Sequence, residues 1–305
     1  MNKILNNTIL DVIGNTPLVR LNYPQFCCPI YAKLEMLNPG GSFKDRVGLK
    51  MIEYAEKNGL LKPGGTIIEA SSGNQGAALA MIDAVKGYKV IITASEKISE
   101  EKLKTLKAFG VGVRIYKPTK NLEDPGSYYM EAKRLAEITP GAYWPNQYHN
   151  PQNPKAHYDT TGPEIWKQTK GKITHFFAAA GSTGTIMGVG KFLKEKNNKI
   201  KIIAVDATNS FFSNPNPKPY KAEGLGIDYT PKFFDKILID EFITATDEEA
   251  FENCRQLAKS QGILAGGSSG AVMHALFKYA NKLKKDDFVV ALMADSGKAY
   301  LSKIF

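Results

Sequence analysis

Cysteine is scarce: three residues in 305, with Cys27 and Cys28 adjacent and Cys254 far away. No Cys-x-x-Cys spacing occurs, and so few thiols cannot staple a chain of this length, which excludes a disulfide scaffold and a cysteine-built metal site. Reduced thiols and no metal are expected. Long apolar runs are missing too. The best, 176–181 and 288–294, are strand-sized, far short of the roughly 18 residues of a membrane span, so no membrane partner is expected. The opening Met1-Asn2-Lys3-Ile4-Leu5-Asn6-Asn7 turns polar before a secretory core forms, which points to a cytoplasmic protein. Clustered charge of one sign is also lacking. Forty Lys+Arg against 30 Asp+Glu give a net +10, but Lys194-Glu195-Lys196 and 282–287 mix signs as on a solvated helix face. Without a zinc-finger, RNP or basic-arm signature, nucleic acid is excluded as a partner.

What is present is a globular composition, 43% hydrophobic and 23% charged, and a length of about two domains at roughly 150 residues each. Short β-branched runs alternate with segments of 3.6-residue period, the pattern of an α/β protein with mostly parallel sheets under helices. Strands are predicted at 30–34, 66–69, 89–93, 112–116, 174–178, 201–205 and 288–292. Helices are predicted at 44–58, 73–86, 100–109, 127–138, 153–168, 183–195, 247–261, 268–283 and 296–304. In the helix 183–195, Ile186, Val189 and Phe192/Leu193 form one apolar stripe. Pro145, Pro151 and Pro154 break the periodicity near 144–154, where a domain junction is expected, with ligands at the carboxyl ends of the strands. The irregular stretch 208–231, rich in Asn, Pro and Gly, is long enough to be functional or mobile.

Four segments sit at strand-to-helix transitions, where free N–H groups and helix N-termini hold anions. In Asn38-Pro39-Gly40-Gly41-Ser42-Phe43-Lys44-Asp45-Arg46, Lys44 opens a helix. A desolvated lysine there loses proton affinity and suits Schiff-base chemistry, although a first-turn lysine is also an ordinary surface charge. Ser71-Ser72-Gly73-Asn74-Gln75-Gly76 gathers hydroxyls, an amide and N–H groups suited to a carboxylate or ring hydroxyl, with Ser71 or Ser72 capping the helix. Gly181-Ser182-Thr183-Gly184-Thr185 suits a single phosphate; it is neither a Walker A loop nor a clean G-x-G-x-x-G. Gly266-Gly267-Ser268-Ser269-Gly270 matches G-x-S-x-G, but the only later histidine, His274, lies six residues on in the same helix and cannot activate Ser268, so a hydrolase triad is excluded.

Taken together, these segments resemble the pyridoxal-phosphate family of cysteine synthase (O-acetylserine sulfhydrylase) and cystathionine β-synthase. The likeness runs from Ile13-Gly14-Asn15-Thr16-Pro17-Leu18-Val19-Arg20-Leu21 to Asp295-Ser296-Gly297, essentially the whole chain. It implies a tryptophan-synthase-β-like fold of two domains, each an open, mostly parallel twisted sheet flanked by helices. The smaller, mobile N-terminal domain would span 39–146, and 1–38 with 147–305 would form the cofactor domain. Lys44 would hold pyridoxal 5'-phosphate, Asn74 its ring hydroxyl, Gly181, Ser182, Thr183, Gly184 and Thr185 its phosphate, and Ser268 its pyridine nitrogen. Ser71, Ser72 and Gln147, in Asn146-Gln147-Tyr148-His149-Asn150-Pro151, look like substrate-carboxylate contacts, and Gln75 and Gly224 join the substrate-binding set.

The implied chemistry is β-replacement through an aminoacrylate, with Lys44 as general base. A neutral serine at the ring nitrogen favours β-chemistry over transamination. Two departures narrow the choice. The loop has Gln75 where the family commonly carries threonine in T-S-G-N-T-G. Glu223-Gly224-Leu225-Gly226-Ile227-Asp228-Tyr229 resembles the acidic E-G-x-G-x-D pattern of cystathionine β-synthases, as do 88–109 and His157-Tyr158-Asp159-Thr160-Thr161. Asp228 would assist a poor leaving group or activate water, although loop solvation also explains acidic residues there. The expected protein is the bare catalytic core of such an enzyme, a cytoplasmic homodimer and a lyase or transferase. It would act on L-cysteine or L-serine and release sulfide, with classical cysteine synthesis from O-acetyl-L-serine as the alternative. A non-catalytic, cofactor-binding regulatory partner is disfavoured by the intact set Lys44, Asn74, Gln147 and Ser268.

Overall fold

Alternating short strands and helices build two separate sheets. A computed structural model describes residues 6–71, 73–96, 98–119, 123–226 and 231–305. The strands are β1 (Leu18–Leu21), β2 (Ile30–Leu34), β3 (Thr66–Ala70), β4 (Lys89–Ser95), β5 (Gly112–Tyr116), β6 (Ala142–Tyr143), β7 (His175–Ala179), β8 (Lys201–Ala207), β9 (Glu241–Ala245) and β10 (Val289–Met293). The α-helices are α1 (Lys44–Lys57), α2 (Asn74–Lys86), α3 (Glu100–Ala108), α4 (Tyr128–Ile138), α5 (Gln152–Asp159), α6 (Thr161–Gln168), α7 (Gly184–Lys196), α8 (Asp247–Gln261), α9 (Gly267–Tyr279) and α10 (Leu301–Ile304).

The chain divides into two units. One takes the N-terminal segment up to Ile13 together with Asn38–Gln152. Its sheet has the order β5-β4-β3-β6, all parallel, with Thr66 of β3 opposite Lys89 of β4 and Ala142 of β6. Parallel strands buried on both faces need continuous apolar runs. Ile67, Ile68 and Ile92 meet that need at full burial, packed with Ile52, Leu79 and Ile82 of α1 and α2 on one side and with Tyr129, Ala132 and Leu135 of α4 on the other.

The other unit takes Gly14–Leu37 and Asn153–Phe305. Its sheet runs β1-β2-β10-β7-β8-β9, parallel except for the β1–β2 hairpin. Its core is lined by Phe177, Ile203, Val289 and Ala291 against Val272, Met273 and Leu276 of α9. A fully buried Lys33 fastens the turn before β1, donating to the Thr16 carbonyl at 2.6 Å and to Glu164 Oε2 at 2.7 Å.

The expected class of two mostly parallel, helix-flanked sheets therefore stands, with corrections in detail. The helix expected over 153–168 is two helices: Pro163 has no N–H to give the Asp159 carbonyl, so α6 starts afresh after Thr160 and carries the proline in its first turn. The helix expected over 268–283 ends as α9 at Tyr279, followed by a 3-10 turn. That over 296–304 begins as the 3-10 turn Gly297–Tyr300. The edge strands β1, β6 and β9 add to the expected set. No helix among the described residues is long and apolar enough to cross a membrane, and no metal-ligating cluster occurs among them.

Helix α5 lies tightly against α7. A β-carbon on Gly188 would stand 2.1 Å from the Pro154 carbonyl oxygen and 2.9 Å from His157 Cβ. Gly188→Ala is therefore expected to lower stability by about 1–3 kcal/mol, read as a lower urea midpoint; an unchanged midpoint would contradict the packing.

Candidate active site

The loops that the sequence singled out follow strand ends. Because β3 and β6 run parallel with Ile67 opposite Tyr143, the turn after β6 emerges beside the end of β3. That turn is stitched to itself: the amides of His149 and Asn150 both donate to the Asn146 carbonyl at 3.0 Å, and Tyr129 donates to Asn146 Oδ1 at 3.2 Å. Asn146 takes a left-handed φ of 47° to make it. The turn presents Gln147, 5% exposed, whose Oε1 accepts a 2.8 Å hydrogen bond from Lys44 Nζ.

Lys44 is the first residue of α1, with its N–H on Ser42 Oγ at 3.2 Å and its ammonium 5.2 Å from the Phe43 ring centre. Burial lowers its pKa from the ordinary lysine value to about 8, against the opposing pull of Glu69. Glu69, near the end of β3, is fully buried and accepts the Ala70 N–H at 2.9 Å. Burial raises its carboxyl to about 8, countered by the N–H groups of Ala70 and Gln147, the Lys44 charge and the Asn146 N–H.

In the next loop the N-cap of α2 is Gly73 rather than the expected Ser71 or Ser72, while Ser71 Oγ accepts the N–H groups of Gly73 at 3.2 Å and Gly76 at 3.0 Å from just before it. Ser72 lies outside the described residues. Asn74 opens α2. Gln75 points inward, 1% exposed, with Nε2 3.8 Å from Met51 Sδ.

The second unit holds the remaining expected residues. Gly181 follows β7 where no side chain fits, since a β-carbon there would meet the Gly224 carbonyl at 2.7 Å. Thr183 caps α7 with φ of 60°, a conformation that costs a β-branched residue strain. Its Oγ1 is buried and has no hydrogen-bond partner among the described residues. Thr185 Oγ1 meets His157 Nε2 at 3.1 Å, while His157 Nδ1 meets Thr161 Oγ1 at 2.9 Å, and Asn153 Nδ2 donates to Ser182 Oγ at 3.1 Å. Ser268 is buried in the first turn of α9; its neighbour Ser269 is spent accepting the Ala294 N–H at 2.9 Å. Gly224 has φ of 74°, and Glu223 pairs with Lys303 at 2.9 Å. Asp228 falls in 227–230, outside the described residues.

A buried hydroxyl without a partner costs about 1–3 kcal/mol. At the N-terminus of α7 a phosphate would satisfy both Thr183 and the helix N–H groups. A lysine whose amine is half-deprotonated near pH 8 suits an aldehyde. The residues present thus fit pyridoxal phosphate.

Comparison with known proteins agrees. Residues 9–295 match the family described as pyridoxal-phosphate dependent enzyme. The chain belongs to that family. It is 45% identical to a cystathionine beta-synthase of Apis mellifera over 97% of its own length and 60% of the relative's, so it spans about three fifths of that protein. It is 41% identical to a cysteine synthase of Staphylococcus aureus, covering 97% of this chain and 96% of the relative. A crystal structure of a hydrogen sulfide-producing enzyme from Fusobacterium nucleatum superposes with a TM-score of 0.92 at 39% identity, covering 97% of this chain and 98% of that one. Pyridoxal phosphate is the cofactor of the family, and its members are enzymes.

Glu69 and Asn153 stand outside the sequence motifs, and His157 appears there only within a family-like segment. The signals were there: an acid inside the apolar strand Thr66-Ile67-Ile68-Glu69-Ala70, and an i, i+4 pair of polar residues on a helix. Glu69 also makes the cofactor-free protein pH-sensitive. Its carboxyl ionises near 4.5 when unfolded and near 8 when folded, so the native state keeps a proton that the unfolded chain has lost. Stability should therefore fall as pH rises from about 4.5 to 8. Denaturation midpoints across this window should drop less in Glu69→Gln than in the parent; equal slopes would contradict the burial of an acid there.

Proposed function

We propose that this protein is a β-replacement enzyme of sulfur amino-acid metabolism that converts L-cysteine and water to L-serine and hydrogen sulfide. The observation that carries the pyridoxal-phosphate reading is Lys44, an amine at a helix start that donates to Gln147 Oε1 at 2.8 Å and whose proton affinity burial lowers; the acidic segment with Asp228 favours the cysteine-consuming reaction.

When bound, pyridoxal phosphate supplies the electron sink for cleavage of the substrate's Cα–H bond. Lys44 Nζ would hold the cofactor and would accept the substrate's Cα proton, a role that its lowered proton affinity suits near neutral pH. Ser71, Ser72, Asn74 and the N–H groups that open α2 would bind the substrate carboxylate and the ring hydroxyl, with Gln147 and Gly224 completing the substrate contacts; Gln75, expected among them, is instead buried against Met51. Gly181 to Thr185 would hold the phosphate, Thr183 Oγ1 offering a hydroxyl that has no partner among the described residues. Ser268, buried in the first turn of α9, would face the pyridine nitrogen as a neutral group and so limit charge build-up on the ring. Asp228 gives a proton to the departing sulfide and takes one from the incoming water. A cytoplasmic homodimer belongs to the same proposal, supported by the family resemblance and by three unpaired cysteines.

A second reading, cysteine synthesis from O-acetyl-L-serine and sulfide, is favoured by the Staphylococcus aureus cysteine synthase, which this chain matches over 96% of that protein's length. The two part on one experiment. L-cysteine, L-serine and O-acetyl-L-serine are added separately to the purified protein while cofactor absorbance and free sulfide are followed. A band change with cysteine, accompanied by sulfide, is the expected result; a change with O-acetylserine alone makes the protein a cysteine synthase. Asp228→Asn should cut sulfide release by about 100-fold without loss of bound cofactor, and unchanged turnover would remove Asp228 from the chemistry.

A further inference from the structure

One fully buried ionisable group has no part in the proposed chemistry. Glu69 is 0% exposed, its Oε1 accepts the Ala70 N–H at 2.9 Å, and its Oε2 has no hydrogen-bond partner among the described residues. A carboxyl buried half-satisfied in this way is costly to keep. Its place in the sheet shows what it faces. With Thr66 opposite Ala142 and Ile67 opposite Tyr143, two more steps along each parallel strand set Glu69 beside Pro145 and the turn that follows it. The N–H groups of Asn146 and Gln147 act on its carboxyl, and Gln147 Oε1 in turn accepts Lys44 Nζ at 2.8 Å.

We propose that Glu69 is a positioning residue for Lys44: set beside the turn that follows β6, it anchors the Asn146–Gln147 turn so that Gln147 Oε1 meets Nζ, and its carboxyl, once ionised, is the counter-charge of that amine. The proposal rests on the reading of Lys44 as the cofactor lysine. The titratable groups facing Glu69 are Lys44 from α1, Tyr129 from α4 and Tyr143 from β6, and its charge raises the pKa of all three. Lys44 sits in a balance: burial pushes its proton off and Glu69 pulls it back. A neutral amide at position 69 leaves burial unopposed.

The test uses cofactor-stripped protein, with the pH dependence of Lys44 acylation followed by mass spectrometry of its peptide. In Glu69→Gln the midpoint should fall by about one pH unit, and Glu69→Asp should restore most of it. A folded Glu69→Gln with the parent's midpoint would overturn the proposal, since a purely structural role lowers stability without moving the lysine. Should Glu69→Gln fail to fold, Lys44→Met gives the reciprocal reading, because the coupling between two sites is mutual. Infrared difference spectra should then show the Glu69 carboxyl staying protonated to higher pH than in the parent, and an unchanged carboxyl would be equally fatal. If pyridoxal phosphate fails to attach at Lys44 in the parent while its midpoint still follows Glu69, the proposed function falls and the pairing stands; the opposite pattern removes the pairing alone.

Discussion

Taking the amine of Lys44 out of water is the constraint on which the rest of this protein turns. An ammonium loses its hydration on burial and its proton affinity falls with it, so the side chain is a usable nucleophile and base only where neighbours stop that fall part-way. Gln147 supplies a neutral acceptor and Glu69 a charge. Both arrive through one architectural fact: β3 and β6 are parallel neighbours, so the loops that leave them start side by side. Helix α1 begins at Lys44, which adds a positive helix end to the same balance.

The other unit prepares for charge of the opposite sign. Strand β7 is followed by Gly181, which has no room for a side chain, and α7 is capped by Thr183, held in the left-handed region with a hydroxyl that has no partner among the described residues. Such strain persists only where surrounding contacts hold it. Here Asn153 and His157, successive turns of α5, brace Ser182 and Thr185. The tight seat of Gly188 against Pro154 keeps α5 close enough to do so. Strained backbone, missing partner and helix N-terminus all favour an anion.

Much of this was legible in the sequence, for reasons that also explain what was not. Parallel strands buried on both faces must be apolar throughout, so runs such as 89–93 and 201–205 stood out, and α8 was found to the residue because Thr246 and Glu249 form a capping box ahead of it. Strand β6 has only two residues, and the edge strand β1 leaves Val19 and Arg20 exposed, so neither shows a clear pattern. Proline inside 153–168 is a visible break signal, and the second helix starts just ahead of it. Lys44, Ser71 and Gln147 emerged from motif resemblance. Glu69 did not, because one acid in a short strand reads as ordinary alternation until neighbouring strands show both faces covered. The conformation of Thr183 is likewise invisible in a letter code in which glycines on either side carry the signal.

Covalent trapping addresses the central claim, that the partly buried amine of Lys44 is where pyridoxal phosphate is held. The loaded protein is reduced with borohydride, digested, and its peptides are sequenced by mass spectrometry. One pyridoxyl group on Lys44, absent from a Lys44→Ala variant, is the predicted result. A label on another lysine, or none on a protein that has taken up the cofactor, would contradict it.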